Sequence, residues 1–275
     1  MHWKQFLTPV QSVAPQKALA MLNSDSSIQL IDVRQPVEYS DGHIPGARLI
    51  PLGNLLDQLC ELDKEKPVLV YCAIGGRSRV AAQLLSGQKF QNIYNITGGL
   101  KSWKGWESTG EYDQGLQLFT GLESLEEILL VAYTMELALN EFYTEMANHV
   151  TNEQAASLFL SLANIEKEHE TNIASQYAEF TGKVFPKNLN ASETLEGGLT
   201  TAEYMSRLGA DMETPHDILI FAMSIECQAM DLYLRASDKA PNAAIKKELL
   251  LLSSEEKSHL NRLADVMDSI YVSKE

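Results

Sequence analysis

Cysteine is scarce in this chain: three in 275 residues, at positions 60, 72 and 227. So few, so scattered, exclude a disulfide framework and a zinc site built on cysteine pairs. Long apolar runs are missing as well, and no stretch approaches the roughly 20 residues needed to cross a bilayer. The start, Met1-His2-Trp3-Lys4-Gln5-Phe6, has neither the basic opening nor the apolar run of a secretory leader. A cytoplasmic location, where a free thiol persists, is therefore expected. Basic residues are under-represented in one half only. Met1 to Gly115 holds 11 Lys and Arg against 11 Asp and Glu, whereas the remainder holds 11 against 26 and carries the entire net charge of −15. An acidic half argues against a nucleic-acid partner and suits attraction of cations.

What is present divides in two. Length, 45% apolar content and 21% charged content fit a folded protein with two cores. Up to about Gly110, short runs of Ile, Val and Leu (Ile28–Val33, Val68–Tyr71, Asn92–Ile96) alternate with helical patterns at Pro15–Leu22, Leu55–Leu62 and Arg79–Gly87. That alternation predicts an α/β domain with a parallel sheet, whose ligands bind beyond the carboxyl ends of strands. Polar, glycine-bearing sequence from Glu107 to Gly115 marks a linker. Four long helices follow, over Ser124–His149, Asn152–Phe180, Pro215–Ser237 and Pro241–Ser269. A connection of over thirty residues, Thr181–Thr214, separates the second from the third and holds one short helix near Ala202–Leu208. This is the pattern of an all-α four-helix bundle with a crossover. The expected division is residues 1–110, a linker at 111–122, and a bundle at 123–270.

Cys72 follows the Val68–Tyr71 strand and opens a loop, Ala73-Ile74-Gly75-Gly76-Arg77-Ser78, that leads into a helix. Backbone N–H groups and the helix dipole there favour anions, so a thiol becomes a thiolate nucleophile. Gly75 and Gly76 allow the backbone of a cradle, Arg77 adds a fixed cation, and Ser78 adds a hydroxyl. Cys60 and Cys227 have no such surroundings. The Cys-x-x-Gly-x-Arg-Ser loop resembles that of single-domain rhodaneses. So do Leu30-Ile-Asp-Val-Arg34 with Glu38-Tyr39, Gly42-His-Ile-Pro-Gly-Ala47, Ile50-Pro51, and Gly98-Gly99 with Trp103. The resemblance implies that Cys72 takes sulfane sulfur as a persulfide from a donor such as thiosulfate and passes it to a thiol or cyanide. It makes the Ala73–Arg77 backbone the persulfide cradle, and Asp32, Arg34 and Glu38 scaffold. Phosphatases on the same fold have five residues between Cys and Arg; here there are four, which favours sulfur over phosphate.

The second half repeats itself at a period of 90 residues: Glu136 with Glu226, Tyr143 with Tyr233, Glu166 with Glu256, and His169 with His259. Each Glu-x-x-His pair shares one helix face. Apolar neighbours at helical spacing put the four glutamates on the core stripe. Buried carboxylates need a counter-charge, and no Lys or Arg occupies a comparable position, so metal ions are expected. One Glu from each of two helices plus Glu-x-x-His from each of the others is the di-iron or di-manganese pattern of such bundles. Oxygen and imidazole donors suit iron, manganese or zinc. Glu141 and Asp231 also repeat, but about 140° round the helix from Glu136 and Glu226, so they should face solvent or a subunit neighbour, as in a homodimer. His2, His43, His149 and His216 read as ordinary.

This half resembles the ferritin-like superfamily, and rubrerythrin-type domains above all. That resemblance implies two iron ions reacting with oxygen or peroxide, and Tyr143 and Tyr233 bonded to ligand carboxylates. Two departures stand out. Rubredoxin-type cysteine pairs are missing, so the electron donor is unknown. Ala229 sits where some rubrerythrins carry a further carboxylate. The chain thus reads as a sulfurtransferase joined to a di-iron redox domain. In the alternative the bundle is the main oxidase or peroxide reductase, and the cysteine domain serves as sulfur donor or sensor.

Overall fold

Aliphatic runs too short for helices build a five-stranded, wholly parallel sheet in the first of two units, Met1–Tyr112 and Asp113–Glu275. The computed structural model describes residues 10–187, 189–208, 212 and 214–272; the N-terminal hexapeptide with its His2 lies outside them. In chain order the strands are β1 (Gln11–Val13), β2 (Gln29–Asp32), β3 (Arg48–Leu49), β4 (Val68–Tyr71) and β5 (Ile93–Ile96); in space they run β1-β5-β4-β2-β3. Helices α1 (Pro15–Ser24), α2 (Pro36–Asp41) and α3 (Gly76–Gly87) connect them. Alternation along β4 sends Val68, Val70 and Cys72 into one core and Leu69 and Tyr71 into the other. Burial on both faces is why this strand reads as an unbroken apolar run.

Residues 55–62, expected as a helix, form turns ending in a 3-10 segment at Leu59–Glu61. The leucines at helical spacing still reach the core. The backbone between them does not stay helical, because Gln58 (φ −103°, ψ 13°) breaks the repeat.

The second unit holds α4 (Leu125–His149), α5 (Glu153–Thr181), α6 (Thr201–Leu208), α7 (Pro215–Asp238) and α8 (Ala243–Val272). Ser124 caps α4 reciprocally with Glu127, an arrangement worth about 1 kcal/mol. Helix α4 packs along α5, and α7 along α8; α6 lies on the connection between the pairs. Within the stretch read as linker, Leu116–Phe119 forms a 3-10 turn whose Leu116 is buried in this unit's core. No helix among the described residues is long and apolar enough to cross a membrane.

Candidate functional site

Cys72 is the first residue past the carboxyl edge of β4, a strand flanked by β5 and β2 in the middle of the sheet. Gly75, at φ 95°, turns the chain into α3 and aims its N–H at Cys72 Sγ from 3.1 Å. Ser78 Oγ lies 3.5 Å from the sulfur and 2.6 Å from Asn95 Oδ1, and has one proton to divide between the two acceptors. The backbone is therefore the firmer donor to sulfur. Burial alone raises the Cys72 thiol; bonds from Ser78, Ile74 and Gly75 outweigh it and leave the thiol below its ordinary value. Arg77 forks onto Glu38 at 2.6 and 2.7 Å, which holds that carboxyl down at about 2. Cys72 has no exposed surface, whereas Ile74 in the loop is 70% exposed.

The loop is held from behind by a second turn. Leu100 N–H donates to Cys72 O at 2.8 Å, and Lys101 N–H to Ala73 O at 3.0 Å. Gly99 makes that approach at φ 58°, ψ −152°, where a Cβ would collide with the Cys72 carbonyl oxygen. Gly99→Ala is expected to cost roughly 1–3 kcal/mol and to lower any Cys72 reactivity, checked by thermal melting and alkylation rate. Alkylation of wild-type Cys72 should reach half its maximal rate below the ordinary thiol pKa of about 8.5. Since Asn95 competes for the Ser78 proton and the backbone donors remain, Ser78→Ala should raise that midpoint by less than about one unit.

In the second unit the helices deliver Glu136 from α4, Glu166 and His169 from α5, Glu226 from α7, and Glu256 and His259 from α8. The four carboxylates are at most 2% exposed and His169 is 8% exposed. Candidate ligand atoms of Glu136, Glu166 and His169 lie within 4.8 Å of one another, as do those of Glu226, Glu256 and His259. The two imidazoles stack at 3.8 Å and 6°, each turning Nδ1 inward. His169 Nδ1 is 2.8 Å from Glu166 Oε2 and 3.5 Å from Glu136 Oε2; His259 Nδ1 is 3.1 Å from Glu256 Oε2 and 3.4 Å from Glu226 Oε2.

Short as they are, the His169 approaches are not aligned as hydrogen bonds. His169 Nδ1, both oxygens of Glu166, and Oε2 of Glu136 and Glu226 are buried without a hydrogen-bond partner. Such close but unpaired donors and acceptors suit a central cation better than each other. With no cation between them, burial pushes the Glu136 carboxyl up, while Glu136 and Glu166 overcome burial and hold His169 up. The residues present fit a pair of metal ions with oxygen and nitrogen ligands.

Residues 14–105 match the rhodanese-like domain, and residues 127–214 and 217–275 match rubrerythrin. The chain belongs to the rubrerythrin family and carries a rhodanese-like domain. An uncharacterized Bacillus subtilis protein, YqhL, is 49% identical over 77 residues, which are 28% of this chain and 61% of that relative. The chain thus spans about three fifths of that protein's length. The thiosulfate sulfurtransferase GlpE of Pseudomonas entomophila is 35% identical across 40% of this chain and 97% of its own. A rhodanese-like domain protein of Staphylococcus aureus superposes with TM-score 0.33 at 28% identity, over 34% of this chain and 92% of that one.

In the rubrerythrin domain several expectations need correction. Asp231, placed toward solvent or a subunit neighbour by helical geometry, is fully buried and pairs with Arg235 at 2.7 Å. Helix α7 is buried round most of its circumference there, from Ile225 to Ser237 except Leu234, so no face is left for solvent. Arg235 is thus an inward cation, contrary to expectation, but Asp231 takes its charge. Glu141 is exposed, as read. Tyr233 donates at 2.9 Å to Glu196, a residue not foreseen, rather than to any of the six; the Tyr143 hydroxyl is buried without a hydrogen-bond partner. In the rhodanese-like domain Asp32 and Arg34 form a buried pair at 2.7 Å, and Tyr39 stacks on His43 at 3.7 Å. His149, His216 and Cys60 are exposed, and Cys227 is buried.

Proposed function

We propose that this protein is a rhodanese-type sulfurtransferase carrying sulfane sulfur on Cys72, joined to a rubrerythrin domain that holds two iron ions. The observation that carries the first part is the Gly75 N–H aimed at Cys72 Sγ in a loop that opens α3. The sulfurtransferase relatives support it. Cys72 thiolate attacks the outer sulfur of thiosulfate; the S–S bond to the sulfonate breaks, and sulfite leaves with the bonding pair. The persulfide anion settles among the backbone N–H groups of Ala73 to Arg77, near the Arg77 cation. Cyanide or a thiol then attacks the outer sulfur, and the Cys72 thiolate departs. Cyanide leaves as thiocyanate; a thiol loses its proton and leaves as a persulfide.

In the bundle Glu136, Glu166, His169, Glu226, Glu256 and His259 would hold the ions, and iron when bound supplies redox chemistry toward oxygen or peroxide. The four carboxylates balance two divalent charges, and the neutral imidazoles add nitrogen donors without charge. Tyr143 and Tyr233 are buried in the same bundle core. Single-turnover cyanolysis of thiosulfate-treated protein tests the first part, with one thiocyanate per chain expected. Metal analysis tests the second, with about two ions per chain expected from the two ligand trios.

A further inference from the structure

In the second unit, one buried carboxylate among the described residues lies outside both repeat halves. Glu196 sits on the connection between α5 and α7, is 1% exposed, and lies in a run of five buried residues, Leu195 to Leu199. A tight turn holds that run: Leu195 N–H donates to Leu199 O at 2.8 Å, and Gly198 N–H to Leu195 O at 3.1 Å. Gly197, at φ 83°, comes so close to α7 that a Cβ would strike Gln228. Two tyrosines fix the residue. Tyr204 OH donates to its backbone oxygen at 2.7 Å, and Tyr233 OH to its Oε1 at 2.9 Å. Its Oε2 is buried without a hydrogen-bond partner. Candidate ligand atoms of Glu136, Glu196 and Glu256 lie within 4.8 Å of one another. Glu136 belongs to the first repeat half and Glu256 to the second, so Glu196 meets one carboxylate from each.

We propose that Glu196 is a seventh ligand of the metal pair, delivered by the crossover turn and aimed by Tyr233, so that the site is asymmetric although the helices that frame it are repeats. This rests on the two-metal reading of the bundle. A single carboxylate brought by a turn takes up the role that Ala229, on α7, cannot fill. Five carboxylates facing two divalent ions also leave one excess negative charge, which favours the higher oxidation state of a redox-active metal.

The test titrates the full metal-free chain with cobalt(II), following stoichiometry by competition with a chelator and ligand field by the visible spectrum. Wild type should bind about two ions. Glu196→Gln should weaken at least one by roughly ten- to a hundredfold and change the spectrum. In iron-loaded protein it should move the reduction potential to more positive values. Tyr233→Phe keeps the buried ring and should shift affinity in the same direction by less; exposed Glu193→Gln should change nothing. If Glu196→Gln does not fold, Glu196→Asp, one methylene shorter with its charge kept, should show the same loss. Two ions bound by wild type and by the Glu196 variant with equal affinity and spectrum would overturn the proposal alone. Fewer than two bound by wild type would overturn it together with the two-metal reading.

Discussion

Cys72→Ser protein, treated with thiosulfate and then cyanide, is expected to release no thiocyanate above background, a loss of about three orders of magnitude or more. Oxygen replaces sulfur at a fully buried position, so the substitution needs no extra space, and the Gly75 N–H can donate to the hydroxyl. The fold should survive, and the loss then reports chemistry. A serine hydroxyl is scarcely ionised where the loop holds the thiol below its ordinary value. Cys60→Ser and Cys227→Ser serve as controls and should keep full activity, because neither lies in the loop. Thiocyanate release retained by Cys72→Ser would sink the sulfurtransferase assignment.

The second large effect is expected from Glu166→Ala. Both carboxylate oxygens of Glu166 are buried without a hydrogen-bond partner, and burial raises its pKa. In the metal-free protein this group is a cost; with metal it becomes a ligand. Iron-loaded wild type should therefore melt well above its metal-free form. Binding at a thousandfold excess over Kd adds about 4 kcal/mol, or roughly 10 °C for a unit of this size. In Glu166→Ala most of that difference should vanish and iron content should fall below about two per chain. The metal-free variant should melt within a few degrees of metal-free wild type, because a cavity and a removed buried acid oppose each other. Unchanged iron content in the variant would contradict the assignment of ligands.

Much of the bundle was legible because a repeat makes coincidence visible. Two Glu-x-x-His pairs, each with a glutamate thirty residues upstream, recur at one period, and the structure gathers all six residues. Glu196 escaped because it has no repeat counterpart and lies outside any helix. Its one signal was local: a single acid enclosed by Leu195, Gly197, Gly198 and Leu199, an odd place for a solvent-facing charge. Asp231 was misplaced for the opposite reason. Helical periodicity assigns a face to solvent only when the helix has one, and α7 there does not. The pairing with Arg235 at i+4 was the available clue. In the rhodanese-like domain the loop was readable from residue types alone, whereas β3 is two residues long and carries no pattern to read.

Direct detection of the sulfur on Cys72 bears most closely on the proposed function. Wild-type protein should be treated with thiosulfate, freed of excess reagent, digested without reductant and mapped by mass spectrometry. The expected result is one added sulfur atom on the Cys72 peptide, none on those of Cys60 and Cys227, and its complete removal by cyanide. An unmodified Cys72, or sulfur spread equally over the three cysteines, would contradict it.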